Sequence, residues 1–208
     1  MKSRLWSKTE GFIAGVDEAG RGPLAGPVVA AAVVLPERPL RCRVDDSKKL
    51  SARMRELAYE ELLDRAHCSV GIVSEALIDR LNIFQASVLA MELAVLSLSL
   101  EPDLVLVDGP IRLDLLDLSC RVDSVIGGDA KYLPIAAASV VAKVTRDRIM
   151  QDYDLQYPAY GFAKHKGYPT AAHLSALSEN GITPIHRKTF GICRELARRP
   201  RPVSMMCT

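Results

Sequence analysis

The sequence predicts an α/β fold: a mixed five-stranded sheet flanked by helices, closed by a helical C-terminal extension. Three observations carry this. Five short apolar runs bounded by Gly, Pro or acids have strand length. Helical periodicity follows the second run, fills the interval between the third and fourth, and returns after the fifth. Acids beside glycine recur where strands end, which is where open α/β sheets build their sites.

Residues 10–17 (EGFIAGVD) and 27–35 (PVVAAAVVL) read as two strands joined by a glycine-rich loop. After the polar stretch PERPLRCRVDDSKKL, Ser51 is the expected N-cap of a helix over 52–66, with a stripe of Met54, Leu57, Ala58, Leu62 and Leu63. Residues 68–73 are a third strand, and 75–99 a helical turn plus a longer apolar helix closed by Pro102. Residues 104–107 form a strand that delivers Asp108 and Gly109; residues 121–126 form another, followed by GGDAK. A helix over 135–153 begins with small residues, as close packing on a sheet requires. Then come a dense loop, YPAYGFAKHKGYPT, a helix over 170–179 stopped by Asn180-Gly181, the polar TPIHRKTFG and a short last helix. The expected organisation is a core over 1–155, an extension over 156–198 and a frayed tail over 199–208.

With 49% hydrophobic and 25% charged residues, the composition excludes disorder over most of the chain. The longest apolar run, 24–35, falls short of the roughly 20 residues a membrane helix needs. No apolar h-region follows the basic start, so a cytoplasmic protein is expected. Five scattered cysteines without a C-x-x-C predict reduced, mostly buried thiols and no zinc site. Residues 161–208 carry eight Lys or Arg against two Glu, leaving the first 160 residues at −4. That asymmetry suits a polyanion together with a cation-filled site, although a solvated basic flank explains it equally. Oligomeric state is unconstrained, and a monomer is the default.

Asp17, Glu18, Asp108 and Asp129 are each flanked by glycine at or near a strand end. Four carboxylates in one volume raise one another's pKa unless a cation sits among them. An all-oxygen set favours Mg²⁺ or Mn²⁺, and two such ions support an in-line displacement at phosphorus. The chemistry implied is phosphodiester cleavage. Gly20, Arg21 and Gly22 would bring backbone close to a sugar or phosphate; a plain tight turn is the alternative.

The motifs DEAGRG at 17–22, VDG at 107–109, GDAKY at 128–132, AASVVAKVTRD at 137–147 and YGFAKHKGY at 160–168 together resemble the bacterial ribonuclease HII family, over residues 12–192. Ala136 departs from the family's commoner Ser and touches no proposed ligand. The resemblance implies a ribonuclease H-like fold and a metal-dependent endonuclease that cuts the RNA strand of RNA/DNA hybrids. It also implies cutting 5′ to single ribonucleotides in duplex DNA, leaving a 3′-hydroxyl and a 5′-phosphate, for ribonucleotide removal. It makes Asp17, Glu18, Asp108 and Asp129 the catalytic, metal-holding acids. Gly20-Arg21-Gly22 becomes the reader of the ribose 2′-hydroxyl and Tyr168 the residue that stacks at an RNA-to-DNA junction.

Further substrate contacts are expected from Ser47 and Lys48, Ser139 and Lys143, and His165 and Lys166, the last two beside Tyr160 and Phe162. Arg187 and Lys188 are weaker candidates, and Asp147 would support the site from behind. The alternatives are a turn cap at Asp45 or Asp46, a surface ion pair between Lys143 and Asp147, and a solvated loop at 164–166. Another ribonuclease H-fold nuclease, such as a resolvase, or a non-catalytic hybrid-binding module remains a rival. No feature identifies a protein partner.

Overall fold

The computed structural model describes residues 11–115 and 118–198. The expectations for the basic start, Glu10, Cys207 and the tail over 199–208 lie outside them. The sheet has the order β3-β2-β1-β4-β5, formed by β1 (Ile13–Ala19), β2 (Val28–Val34), β3 (His67–Val73), β4 (Leu104–Asp108) and β5 (Arg121–Val125). β1 pairs antiparallel with β2, and β2 with β3, whereas β1 runs parallel to β4 and β4 to β5.

Both faces of the central strands are buried, which is why β2 reads as an unbroken apolar run. Val28, Ala30, Ala32 and Val34 of β2, with Val105 and Val107 of β4, pack against α3 (Ile83–Leu96). Ala31 and Val33 face the other way, onto α1 (Ala52–Arg65) and the long α4 (Leu133–Gln156). α4 approaches β1 so closely that a Cβ on Gly15 would lie 2.1 Å from the Pro134 carbonyl carbon. Glycine is required there for layer spacing.

Several expectations are corrected. The α1 stripe is Ala58, Tyr59 and Leu62; Met54, Leu57 and Leu63 face solvent, because α1 meets α4 along a narrow seam. The 75–99 region is the expected short helix followed by a longer one; Asn82, with a positive φ of 73°, ends α2 (Glu75–Leu81) and its side chain caps α3. α3 stops at Leu96, well before Pro102. Of the described cysteines only Cys193 is buried; Cys42, Cys68 and Cys120 are half-buried free thiols. The dense loop contains a short helix, α5 (Phe162–His165).

α6 (Ala171–Asn180) and α7 (Gly191–Arg198) complete the chain. With α5 and the end of α4 they enclose a separate cluster of Leu24, Met150, Tyr160, Phe162, Leu177 and Cys193. Leu24 belongs to the glycine-rich loop after β1, so the C-terminal segment packs directly on that loop. The loop amide of Leu24 donates to Gly167 O, and that of Gly26 to Ile185 O. No described helix is long and apolar enough to cross a membrane.

Candidate active site

The parallel pairing of β1 with β4 ends at Val16↔Val107, but its antiparallel pairing with β2 continues to Ala19↔Val29. Asp17 and Glu18 therefore sit on a strand that outruns its parallel neighbour, and Asp108 stands at the last residue of that neighbour. A cleft of about 260 Å³ opens at this step. It is lined by Asp17, Glu18 and Asp108, by Gly20, Arg21 and Gly22, by Ser47 and Lys48, by Ser139, Lys143 and Arg146 of α4, and by Tyr168.

Asp17 is only 6% exposed and accepts the Glu18 amide at 2.7 Å. Burial pushes its carboxyl well above the usual range, and the charges of Glu18 and then Asp108 push it further, while a hydrogen bond from Ser139 opposes them. Burial also raises Glu18, against the Arg21 guanidinium 3.3 Å away, and Asp108 adds to the rise. The ionised forms of both acids are thus disfavoured where they are buried together. Asp108 accepts from the Gly128 amide at 2.7 Å, which fastens a 3-10 turn (Gly128–Ala130) beside it. Asp129 stands half-buried on that turn but does not line the cleft with the other three acids. Among the described residues no group of three or more acids, His or Cys is drawn together tightly enough to form a closed metal cage.

Ser47 and Ser139 are buried and bonded to each other at 2.9 Å, which ties the DDSKK turn to α4 under the acids. Asp45 and Asp46 cap that turn, accepting the amides of Asp46 and Lys48. Lys143 lines the cleft with its Nζ 2.5 Å from Asp147, so Asp147 restrains it from one helical turn away. Tyr168 is 43% exposed at the rim.

The histidine-containing loop differs from expectation. His165 donates from Nε2 to Tyr160 O at 2.7 Å and accepts the Gly167 amide on Nδ1, so both ring nitrogens serve the backbone. It stacks on His173, and Tyr160 and Phe162 are buried beneath it in the C-terminal cluster. Lys166 points its Nζ at Asp147 O, 3.4 Å away, and lies outside the cleft lining. Arg187 is fully buried.

The family model described as Ribonuclease HII matches residues 14–193. The chain belongs to the ribonuclease HII family. The Ribonuclease HII of Albidiferax ferrireducens is 52% identical over 96% of this chain and 95% of that relative. That of Coxiella burnetii is 51% identical over 89% and 91%. Among solved structures, ribonuclease H2 from Pyrococcus horikoshii aligns with a TM-score of 0.75 at 29% identity, over 89% of this chain and 96% of that one. The RNase HII of Archaeoglobus fulgidus, solved in complex with PCNA, aligns at 0.73 and 30%, over 86% and 95%. As a ribonuclease HII the chain has the ribonuclease H-like fold and is an endoribonuclease of RNA/DNA hybrids.

Arg146 escaped the sequence reading, and Arg187 was expected only as a weaker substrate contact. Arg146 and Arg187 are each about 1% exposed or less, and both donate only to backbone carbonyls. In the sequence Arg146 looks like any charged helix residue and Arg187 like any basic residue in a basic flank. The available signal was the loop itself: a stretch with three glycines and two prolines leaves many carbonyls to satisfy.

Proposed function

We propose that this ribonuclease HII cuts 5′ to single ribonucleotides embedded in duplex DNA as well as the RNA strand of longer hybrids, leaving a 3′-hydroxyl and a 5′-phosphate. Asp17, Glu18, Asp108 and Asp129 hold two Mg²⁺ or Mn²⁺ ions in this reading. The observation that carries it is the convergence, on one cleft, of three carboxylates, the Gly20-Arg21-Gly22 backbone and Tyr168. The donor set fits hard divalent cations, because all the acids offer oxygen and the raised pKa of Asp17 marks a place where positive charge is wanted. Bound ions would lower the pKa of an attacking water and offset charge on the leaving oxygen.

The chain's own residues do the rest. Asp17 and Glu18 fix the cleft floor on a strand that β2 still holds after β4 has ended. The loop after them lets amides approach a ribose 2′-hydroxyl, and Gly22 leaves the near side open: a Cβ there would sit 3.6 Å from the Tyr168 ring. Tyr168 offers a rim surface for the next sugar. Lys48 and Lys143, which carry no base-reading geometry, meet phosphate, with Ser47 and Ser139 bracing the wall between them. The 156–198 extension acts as the substrate-binding part of the protein, in cytoplasm that holds its DNA.

The deciding assay uses a duplex with one ribonucleotide in Mg²⁺ or Mn²⁺. Cutting on the 5′ side is expected, with Asp108→Asn slower by on the order of 10²-fold or more. An uncut duplex, or undiminished cutting by the variant, rejects the reading.

A further inference from the structure

Five carbonyls of the glycine-rich loop accept hydrogen bonds from two guanidinium groups. Arg187 donates from Nη2 to Gly20 O at 2.6 Å, from Nη1 to Arg21 O at 3.0 Å and from Nε to Gly26 O at 2.9 Å. Arg146 donates from Nε to Pro27 O at 2.9 Å, from Nη2 to Ala25 O at 3.0 Å and from Nη1 to Lys166 O at 3.0 Å. Among the described residues no protein group accepts from the amides of Gly20, Arg21 or Gly22. The arginines thus take up five of the loop's carbonyls, while the amides of residues 20–22 are left for a ligand.

The glycines agree with this arrangement. Gly20 has φ 103°, and a Cβ there would lie 2.2 Å from Arg146 Nε; at Gly26 it would lie 2.3 Å from Met150 Sδ and 3.1 Å from Arg146 Nη2. Gly20 and Gly26 therefore make room for the arginine layer, and only Gly22 opens toward the cleft. Two buried guanidiniums are a costly way to stabilise a loop, since each must shed its water. The one buried carboxylate nearby, Glu75, interacts with both charges and leaves Oε1 without a hydrogen-bond partner, so it does not form a close ion pair with that oxygen. What the guanidiniums supply is geometry: a planar fork of five fixed donors spreads over several carbonyls at once, which an ammonium cannot do.

We propose that Arg187, backed by Arg146, is a positioning residue for ribonucleotide selection, holding the 20–22 backbone so that its amides face the ribose 2′-hydroxyl. Arg146 also fixes Lys166, two residues before Tyr168, so the ribose reader and the junction tyrosine are held by one arginine layer. The proposal rests on the reading that this loop recognises the 2′-hydroxyl.

The test is equilibrium binding of a duplex with one ribonucleotide and of the identical all-deoxy duplex. Both are measured in Mg²⁺ with the full chain in an Asp108→Asn background, so that nothing is cut. The parent is expected to prefer the ribonucleotide duplex. Arg187→Lys is expected to lose at least fivefold of that preference while its affinity for the all-deoxy duplex stays within twofold; a general structural defect lowers both affinities alike. Preference retained within twofold in a folded Arg187→Lys overturns the positioning role alone. No preference in the parent overturns the ribose-reading loop and the proposal with it. Should Arg187→Lys not fold, Arg146→Lys decides in its place by the same ratio, with loss supporting the proposal and retention overturning it.

Discussion

At Asp17 the demands of folding and of the proposed catalysis oppose each other. Its carboxylate is buried beside Glu18 and Asp108, and its ionised form is disfavoured. A carboxyl whose pKa is raised in the folded state subtracts stability above that pKa, and the loss disappears as pH falls through it. Asp17→Asn keeps an oxygen for the Glu18 amide and removes the charge. It is expected to raise the melting temperature by several degrees at pH 7, about 1–2 kcal/mol, while abolishing cleavage. The gain is expected to shrink when melting is repeated at pH 4, and an unchanged gain would refute the electrostatic origin. These acids were legible in the sequence because glycine punctuates them. The role of Arg146 and Arg187 was not, because a buried arginine that serves carbonyls has the same local sequence context as a solvated one.

α6 shows how an element can hold a site that it does not touch. His186 accepts the Thr183 amide on Nδ1, so its proton sits on Nε2 and is donated to His173 Nε2 at 3.1 Å. That leaves His173 Nδ1–H for Tyr168 O at 3.0 Å. The relay works only with both rings neutral. Burial, and then the charge of His173, holds His186 down to about 4, and burial holds His173 below its usual value. Both pKa values are depressed relative to an unfolded histidine near 6.5. The stability they contribute is therefore complete above about 6.5 and is lost as pH falls toward 4. Denaturant midpoints measured across that window are expected to fall more steeply for the wild type than for His186→Asn, by about 1.4 kcal/mol per pH unit for one proton. Equal slopes would remove His186 from the account. The helices and strands themselves were readable from length and period. The exception, the narrow buried face of α1, was set by neighbouring elements that a local pattern does not contain.

Across the whole molecule, the site joins the step between β1 and β4 to a C-terminal segment folded against it. Tyr168 comes from that segment and the acids from the sheet. Tyr168→Ala is expected to lose about tenfold or more of kcat/KM on a single-ribonucleotide duplex, as a stacking loss of 1–3 kcal/mol would give, and less on a long hybrid, where a junction is dispensable. Equal losses on both substrates would count against junction sensing. The mixed sheet and the order of its motifs could be read from the sequence, but the strand order and the grip of residues 185–187 on the loop could not, since both depend on contacts between distant segments. The bond from Arg187 to Gly20 spans 167 residues. During synthesis the acids leave the ribosome long before Arg187 does, and the loop beside them stays unclamped until Arg187 has emerged. The proposed selectivity for the 2′-hydroxyl thus comes later in synthesis than the acids, and a chain broken off before Arg187 would carry the acids without the clamp.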